Sequence, residues 1–130
     1  MTAVDTNVLV CVITNDDHAQ AAQAAAFLRD QDRVFVAKTV LLELEWVLRS
    51  AYRIGRRGTV SALRGILSAS NIEIEDEGNV RLAIEWHEHG LDFADALHVA
   101  SAGPERTFAT FDRALHRRAR RIGAVRFATI

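Results

Sequence analysis

A chain of 130 residues, 49% apolar and 25% charged, has the length of one domain and enough apolar side chains to bury a core. That balance excludes a disordered chain, and a formal net charge of −1 excludes a generally basic nucleic-acid coat, though not a local patch. Cys11 is the only cysteine, so no intrachain disulfide forms, and no apolar run reaches transmembrane length. The expectation is a single soluble domain over 1–130, cytoplasmic and without membrane contact.

Short apolar runs alternate with longer helical patterns. In chain order they predict a strand at Ala3–Asp5, helices near 7–14 and 18–31, and a strand at Arg33–Ala37. Helices near 39–54 and 59–70 follow, then a strand at Ile72–Glu75 and helices near 78–89 and 93–102. The last turn of 93–102 runs into Gly103-Pro104, a helix stop. A strand at Thr107–Thr110, a helix near 112–121 and a strand at Val125–Ala128 complete the chain. Such alternation implies an α/β fold with a mostly parallel sheet covered on both faces. Ligands of such sheets bind outside the carboxyl ends of the strands. Asp5 falls at one such end, and Asp112 shortly after another.

The helix near 39–54 is the most informative. At 100° per residue, Val40, Leu41, Leu44, Val47, Leu48 and Ala51 share one stripe, flanked by Glu43 and Glu45. Glu45 has Arg49 one turn later, the favourable order for an ion pair. Glu43 has Val47 there and no cation in its own helix. Leu42 and Trp46 form a second apolar strip, suited to core or interface.

Four carboxylates recur at element ends or core margins: Asp5, Glu43, Asp95 and Asp112. Each has a plain structural explanation. Asp5 ends a strand and is placed to cap a helix, a role open also to Thr6 or Asn7. Glu43 fits a solvated helix face. Asp95 stands three residues after Asp92, the spacing of a capping box. Asp112 fits an N-cap. Gathered together, however, the four would repel one another unless a cation held them. Oxygen-only ligation suits Mg2+ or Mn2+, and such an ion beside a phosphate fits phosphodiester hydrolysis.

Other features carry less. His87 and His89 point to different helix faces, a poor zinc pair best read as a solvated helix end. His98 lies one turn after Asp95 and is read as a packing histidine, as Cys11 is read as packing. From Arg113 onward the tail holds six arginines and no acid: Arg113, Arg117, Arg118, Arg120, Arg121 and Arg126. Such a strip suits phosphate and the approach of a nucleic acid, or simply a solvated face.

Four segments together carry a resemblance: VDTNVLV at the start, TVLLELEWVLRSAY at 39–52, DFADALHVASA at 92–102 and TFDRAL at 110–115. With them the chain resembles the PIN-domain ribonucleases, and within these the VapC-type toxins of VapBC toxin–antitoxin pairs, from end to end. The resemblance implies a PIN-like three-layer fold, with a central parallel sheet of about five strands flanked by helices. It implies an endoribonuclease site holding Mg2+ or Mn2+ through Asp5, Glu43, Asp95 and Asp112. Thr6 and Asn7 match the polar pair after the first acid and Thr110 the hydroxyl residue near the last, while Asp92 matches a common but less central acid and is a secondary candidate. RNA cleavage leaving a 3′-hydroxyl and a 5′-phosphate, homodimerisation and a VapB-type antitoxin that blocks the site are implied as well. Cys11 departs from the pattern, because similar sequences often carry arginine there.

Rival readings are weaker. A phosphoacceptor receiver domain needs a lysine late in the chain, and the only lysine is Lys38. An aspartate-nucleophile phosphatase favours a second aspartate two after the first, where Asn7 stands. A PIN-like module that binds RNA or protein without cutting, and a PIN ribonuclease with no antitoxin, are the alternatives inside the family.

Overall fold

The computed structural model describes residues 1–123, 126–128 and 130, in two compact units, Met1–Glu75 and Asp76–Ile130. The first unit runs β1 (Thr2–Ala3), α1 (Thr6–Thr14), α2 (His18–Asp30), β2 (Val34–Val36), α3 (Lys38–Ser50), α4 (Arg56–Ser68) and β3 (Ile72–Ile74). Its strands lie in the order β1-β2-β3 and are all parallel, with Thr2 opposite Val34 and Val34 opposite Ile72. Parallel neighbours need crossovers, and the pairs α1–α2 and α3–α4 supply them. Val34 and Val36 are fully buried, as are Leu41, Leu44 and Leu48 from the predicted stripe of α3 and Leu63 of α4.

One edge of this sheet matters most. All three strands end there, so Asp5, the start of α3 and Glu75 gather along it. The N-cap of α3 is Ala37, which has no side chain to offer. Glu75, just past β3, takes that role: its Oε1 accepts from the Lys38 amide at 2.9 Å, while its own amide donates to Val36 O at 3.0 Å. An acid at a helix N-terminus satisfies an otherwise unpaired amide and complements the helix dipole. The carboxylate thereby ties α3, and Glu43 on it, to the strand-end edge.

The second unit runs α5 (Glu77–Glu88), α6 (Phe93–Ala102), β4 (Phe108–Ala109), α7 (Arg113–Ile122) and β5 (Phe127–Ala128). Buried side chains include Val80, Ala83 and Ile84 of α5, Phe93, Ala96 and Val99 of α6, and Leu115 and Ala119 of α7. β4 and β5 pair in parallel, with the Phe108 and Phe127 rings edge to face at 5.9 Å.

The fold is α/β with parallel sheets, and all seven expected helices are present. The sheet differs from the expected five strands: the described strands divide into a sheet of three and a sheet of two. β4 is held to two residues because the Gly103-Pro104 break precedes it and a turn, Asp112 N to Thr110 Oγ1 at 3.0 Å, closes it. β1 is shorter than expected because Asp5 already caps α1. Val125, in the last expected strand, lies outside the described residues. α3 stops at Ser50 rather than 54: Arg53 turns left-handed at φ 56°, and Tyr52 N and Ile54 N bond back to Val47 O and Leu48 O. No described helix is long and apolar enough to cross a membrane.

Candidate functional site

Asp5 is the N-cap of α1, in extended backbone that follows directly from β1. Its Oδ1 accepts from the Thr6 amide at 2.7 Å. The cap of α1 is thus Asp5 itself and not Thr6 or Asn7, to which the sequence opened that role, because Asp5 alone precedes the helix in extended backbone. Oδ2 makes no hydrogen bond among the described residues and is free for other work. Thr6 is buried, and its Oγ1 is, among the described residues, a buried side-chain oxygen with no hydrogen-bond partner. Such a group is costly unless a water or ligand satisfies it.

Asp5, Thr6, Asn7, Val10, Glu43 and Val47 line one cleft of about 330 Å³ in the first unit. The contrast between the two glutamates of α3 explains why Glu43 is there. Glu45 is buried and paired, its Oε2 accepting from Arg49 Nε at 2.9 Å. Glu43 is exposed and makes no hydrogen bond or ion pair among the described residues. Trp46 is 58% exposed and Leu42 half-buried, so that strip is not closed core. A larger cleft of about 480 Å³, bounded by Leu9, Ile13, Leu28 and Ile66, is apolar and holds no acid.

In the second unit Asp92 is the N-cap of α6, its Oδ2 accepting from the Asp95 amide at 3.2 Å. That is one half of the expected capping box. The Asp95 carboxylate is left half-buried, and burial pushes its pKa up. Repulsion from Asp92 and Asp112 adds to the rise, and His98 and Arg118 oppose it. Asp112 is the N-cap of α7, its Oδ1 accepting from the Leu115 amide at 3.0 Å, and Thr110 Oγ1 holds the Asp112 amide. Within this unit, then, Asp92, Asp95 and Asp112 form one negative region, and Thr110 steadies its last member.

All six tail arginines are exposed. Arg113 and Arg117, one turn apart, line a cleft of about 380 Å³ with Thr110, Phe111 and His116. Arg118 acts electrostatically on Asp95. Arg120 and Arg121 follow at the last turn of α7.

Two histidine expectations are overturned. His87 is not solvated: it is 3% exposed, and its Nδ1 donates to Leu91 O at 2.7 Å while its ring meets Phe93 edge-on. A chain that turns back at His89-Gly90 carries α6 over this ring, and no local pattern showed that. His98 is not packed: it is exposed, free to lend positive charge to Asp95. Cys11 is half-buried, its Sγ donating to Gln20 Oε1 at 3.3 Å. Sequence reasoning missed Glu75, for which the only signal was an alanine where α3 needed a cap.

Within either unit, no group of three or more described His, Cys, Asp or Glu side chains could hold a metal ion by protein ligands alone. The donors present still fit a hard cation: the carboxylates of Asp5 and Glu43 on one cleft, oxygen only. Mg2+ in particular keeps several waters and takes one or two carboxylates.

A comparison with curated proteins finds no match. Among solved structures, the crystal structure of Mycobacterium tuberculosis VapC20, described as a Sarcin-Ricin loop cleaving toxin, is similar. It is 22% identical with a TM-score of 0.47, over 90% of this chain and 94% of that one. The PIN-domain family model matches residues 2–121, a span that includes Asp5, Glu43, Asp95 and Asp112. The chain belongs to the PIN-domain family of nucleases.

Proposed function

We propose that the chain is a Mg2+- or Mn2+-dependent endoribonuclease of the VapC type. On this reading it works as one domain over 1–130 in the cytoplasm, as a homodimer, and a cognate VapB-type antitoxin neutralises it. One observation carries the proposal: Asp5 and Glu43, neither with an ion-pair partner among the described residues, line one cleft beside the unbonded Thr6 hydroxyl. Family membership supports the nuclease chemistry, and a single family match over 2–121 supports a single domain. The order of the family's motif along the chain groups Asp5 and Glu43 with Asp95 and Asp112 as ligands.

When bound, the divalent ion supplies Lewis acidity toward the phosphate and toward water. The residues do the rest. Asp5 holds one oxygen on the α1 amide and offers the other, so its carboxylate is fixed before any ligand arrives. Glu43, exposed and unpaired, accepts the proton of the attacking water. The water oxygen bonds to phosphorus in line with the breaking P–O3′ bond. The departing 3′-oxygen takes a proton from solvent, leaving a 3′-hydroxyl and a 5′-phosphate. Thr6 and Asn7 orient groups at the Asp5 end, while Asp92 and Thr110 steady Asp95 and Asp112 through their backbone amides. Arg113, Arg117, Arg118, Arg120 and Arg121 draw in the RNA backbone.

The test is Asp5→Asn and Glu43→Gln in purified protein whose folding is checked by circular dichroism. Cleavage of total RNA with Mg2+ or Mn2+ is expected to fall to background in both. Parental rates in either variant, or cleavage by the parent in EDTA, would refute the proposal. Absence of carboxylate-dependent Mn2+ binding by the parent would favour a PIN module that binds without cutting.

A further inference from the structure

We infer that the cleft beside Asn7 is a binding site for an unpaired nucleobase, next to the phosphate that is cut. The inference rests on the ribonuclease reading and names the part of the substrate that the same end of the molecule recognises. A cleft of about 350 Å³ lies between α1 and α2, walled by Asn7 and Cys11 from one helix and Gln20, Gln23 and Phe27 from the other. Asn7 lines this cleft and the cleft of Asp5 and Glu43 alike, so the two are neighbours along one residue.

The chemistry of the walls selects the ligand. No charged side chain lines the cleft, so it offers nothing to a phosphate or a carboxylate. Three primary amides line it instead, each with paired donor and acceptor atoms. Such amides match the hydrogen-bonding edges of nucleobases. Cys11 Sγ donates to Gln20 Oε1, which fixes the Gln20 amide and leaves its Nε2 unused. The side-chain amides of Asn7 and Gln23 have no partner among the described residues. Gln20, Gln23 and Phe27 share one face of α2 at spacings of three and four residues, and Asn7 and Cys11 are one turn apart on α1. Phe27 is 44% exposed, an aromatic face open to solvent at the margin of the amides. Stacking platform and hydrogen-bonding edge together are how proteins hold splayed-out RNA bases.

The experiment uses the whole chain, 15N-labelled and metal-free, titrated with each of the four nucleoside 5′-monophosphates and, separately, with ribose 5-phosphate. The side-chain amide signals of Asn7, Gln20 and Gln23 are expected to shift saturably with at least one nucleotide and not with ribose 5-phosphate. Phe27→Leu, which keeps bulk but removes the aromatic face, is expected to weaken that binding roughly tenfold. In RNA cleavage, Phe27→Leu and Gln23→Ala are expected to change the base preference beside the cut while divalent dependence persists. Equal responses to nucleotide and ribose 5-phosphate, or none, overturn the inference. So do signals that move with protein concentration alone, which would assign the cleft to a second copy of the chain. The titration needs no cleavage, so it stands or falls separately from the nuclease reading. A parent that cuts RNA but whose amides ignore nucleotides refutes the base site alone.

Discussion

Asp5→Asn and Asp5→Ala are expected to lose cleavage alike and to differ in stability, because the proposed function adds a chemical job to the structural one that the residue shows. Its structural job is the bond from the Thr6 amide to Oδ1, 2.7 Å long. Asparagine keeps an acceptor oxygen at that place and gives up the charge that favours a helix N-terminus, a change of about 0.3–1 kcal/mol for a surface site. Alanine removes acceptor and charge together, and loss of an N-cap costs about 1 kcal/mol. In a chain of 130 residues this corresponds to a fall in Tm of roughly 3–4 °C. The chemical job needs the second carboxylate oxygen and its negative charge, which neither variant retains. Cleavage is expected to fall by on the order of a hundredfold or more in both.

The assay is thermal unfolding in EDTA, then with Mn2+, beside cleavage of a fixed RNA pool. The parent is expected to gain stability with Mn2+ by mass action, and both variants to gain less. Two results would refute the reasoning, one for each job. Asp5→Ala that melts with Asp5→Asn removes the capping role, and Asp5→Asn that cuts at the parental rate removes the chemical one.

Glu75→Ala is expected to cost about 1 kcal/mol and to speed hydrogen exchange of the Lys38 amide, which loses its acceptor; unchanged exchange would show that the cap is not needed. The Asp95 carboxyl titrates higher in the folded chain than in the unfolded one, so the folded state holds its proton longer and stability falls as pH rises across that interval. Asp95→Asn removes this cost, so in EDTA it should melt above the parent near neutral pH, with the gap closing below the ordinary aspartate pKa of 3.8; a gap independent of pH would sink the argument. Arg117→Gln is expected to weaken binding of single-stranded RNA across sequences and to reduce the slope of log affinity against log salt by about 0.7, and an unchanged slope would free Arg117 from phosphate contact.

What the sequence showed and what it hid divide along a physical line. Periodicity located all seven helices, because an apolar stripe reports burial directly, and α3 buries Leu41, Leu44 and Leu48 as its pattern requires. The pairing of Glu45 with Arg49 was visible for the same reason, being one turn apart. Long-range matters were hidden. Glu75 caps a helix 37 residues earlier in the chain, and His87 is buried by a turn that no local spacing encodes. The division of the described strands into sheets of three and two depends on ladder length, which two-residue strands set only in three dimensions.

The acids teach a further point, because their structural explanations and their chemical one are not rivals. Asp5, Asp92 and Asp112 each cap a helix, and each commits one side-chain oxygen to a backbone amide. A carboxylate so anchored has lost rotamer freedom before it meets a ligand, while its other oxygen stays available. On the proposed function, the caps of Asp5 and Asp112 therefore each orient a ligand carboxylate. Asp95 and Glu43 complete the logic from the other side. Neither carboxylate is held by a cap, and Asp95 is raised toward neutrality by burial and by the two capping acids near it. Left alone, that arrangement is unfavourable at neutral pH. On the proposed function, a cation at Asp95 reverses that repulsion, which helix capping alone would not do. That is why Asp95→Asn should stabilise the metal-free chain and yet blunt its response to Mn2+. A purely structural acid would show the first effect without the second.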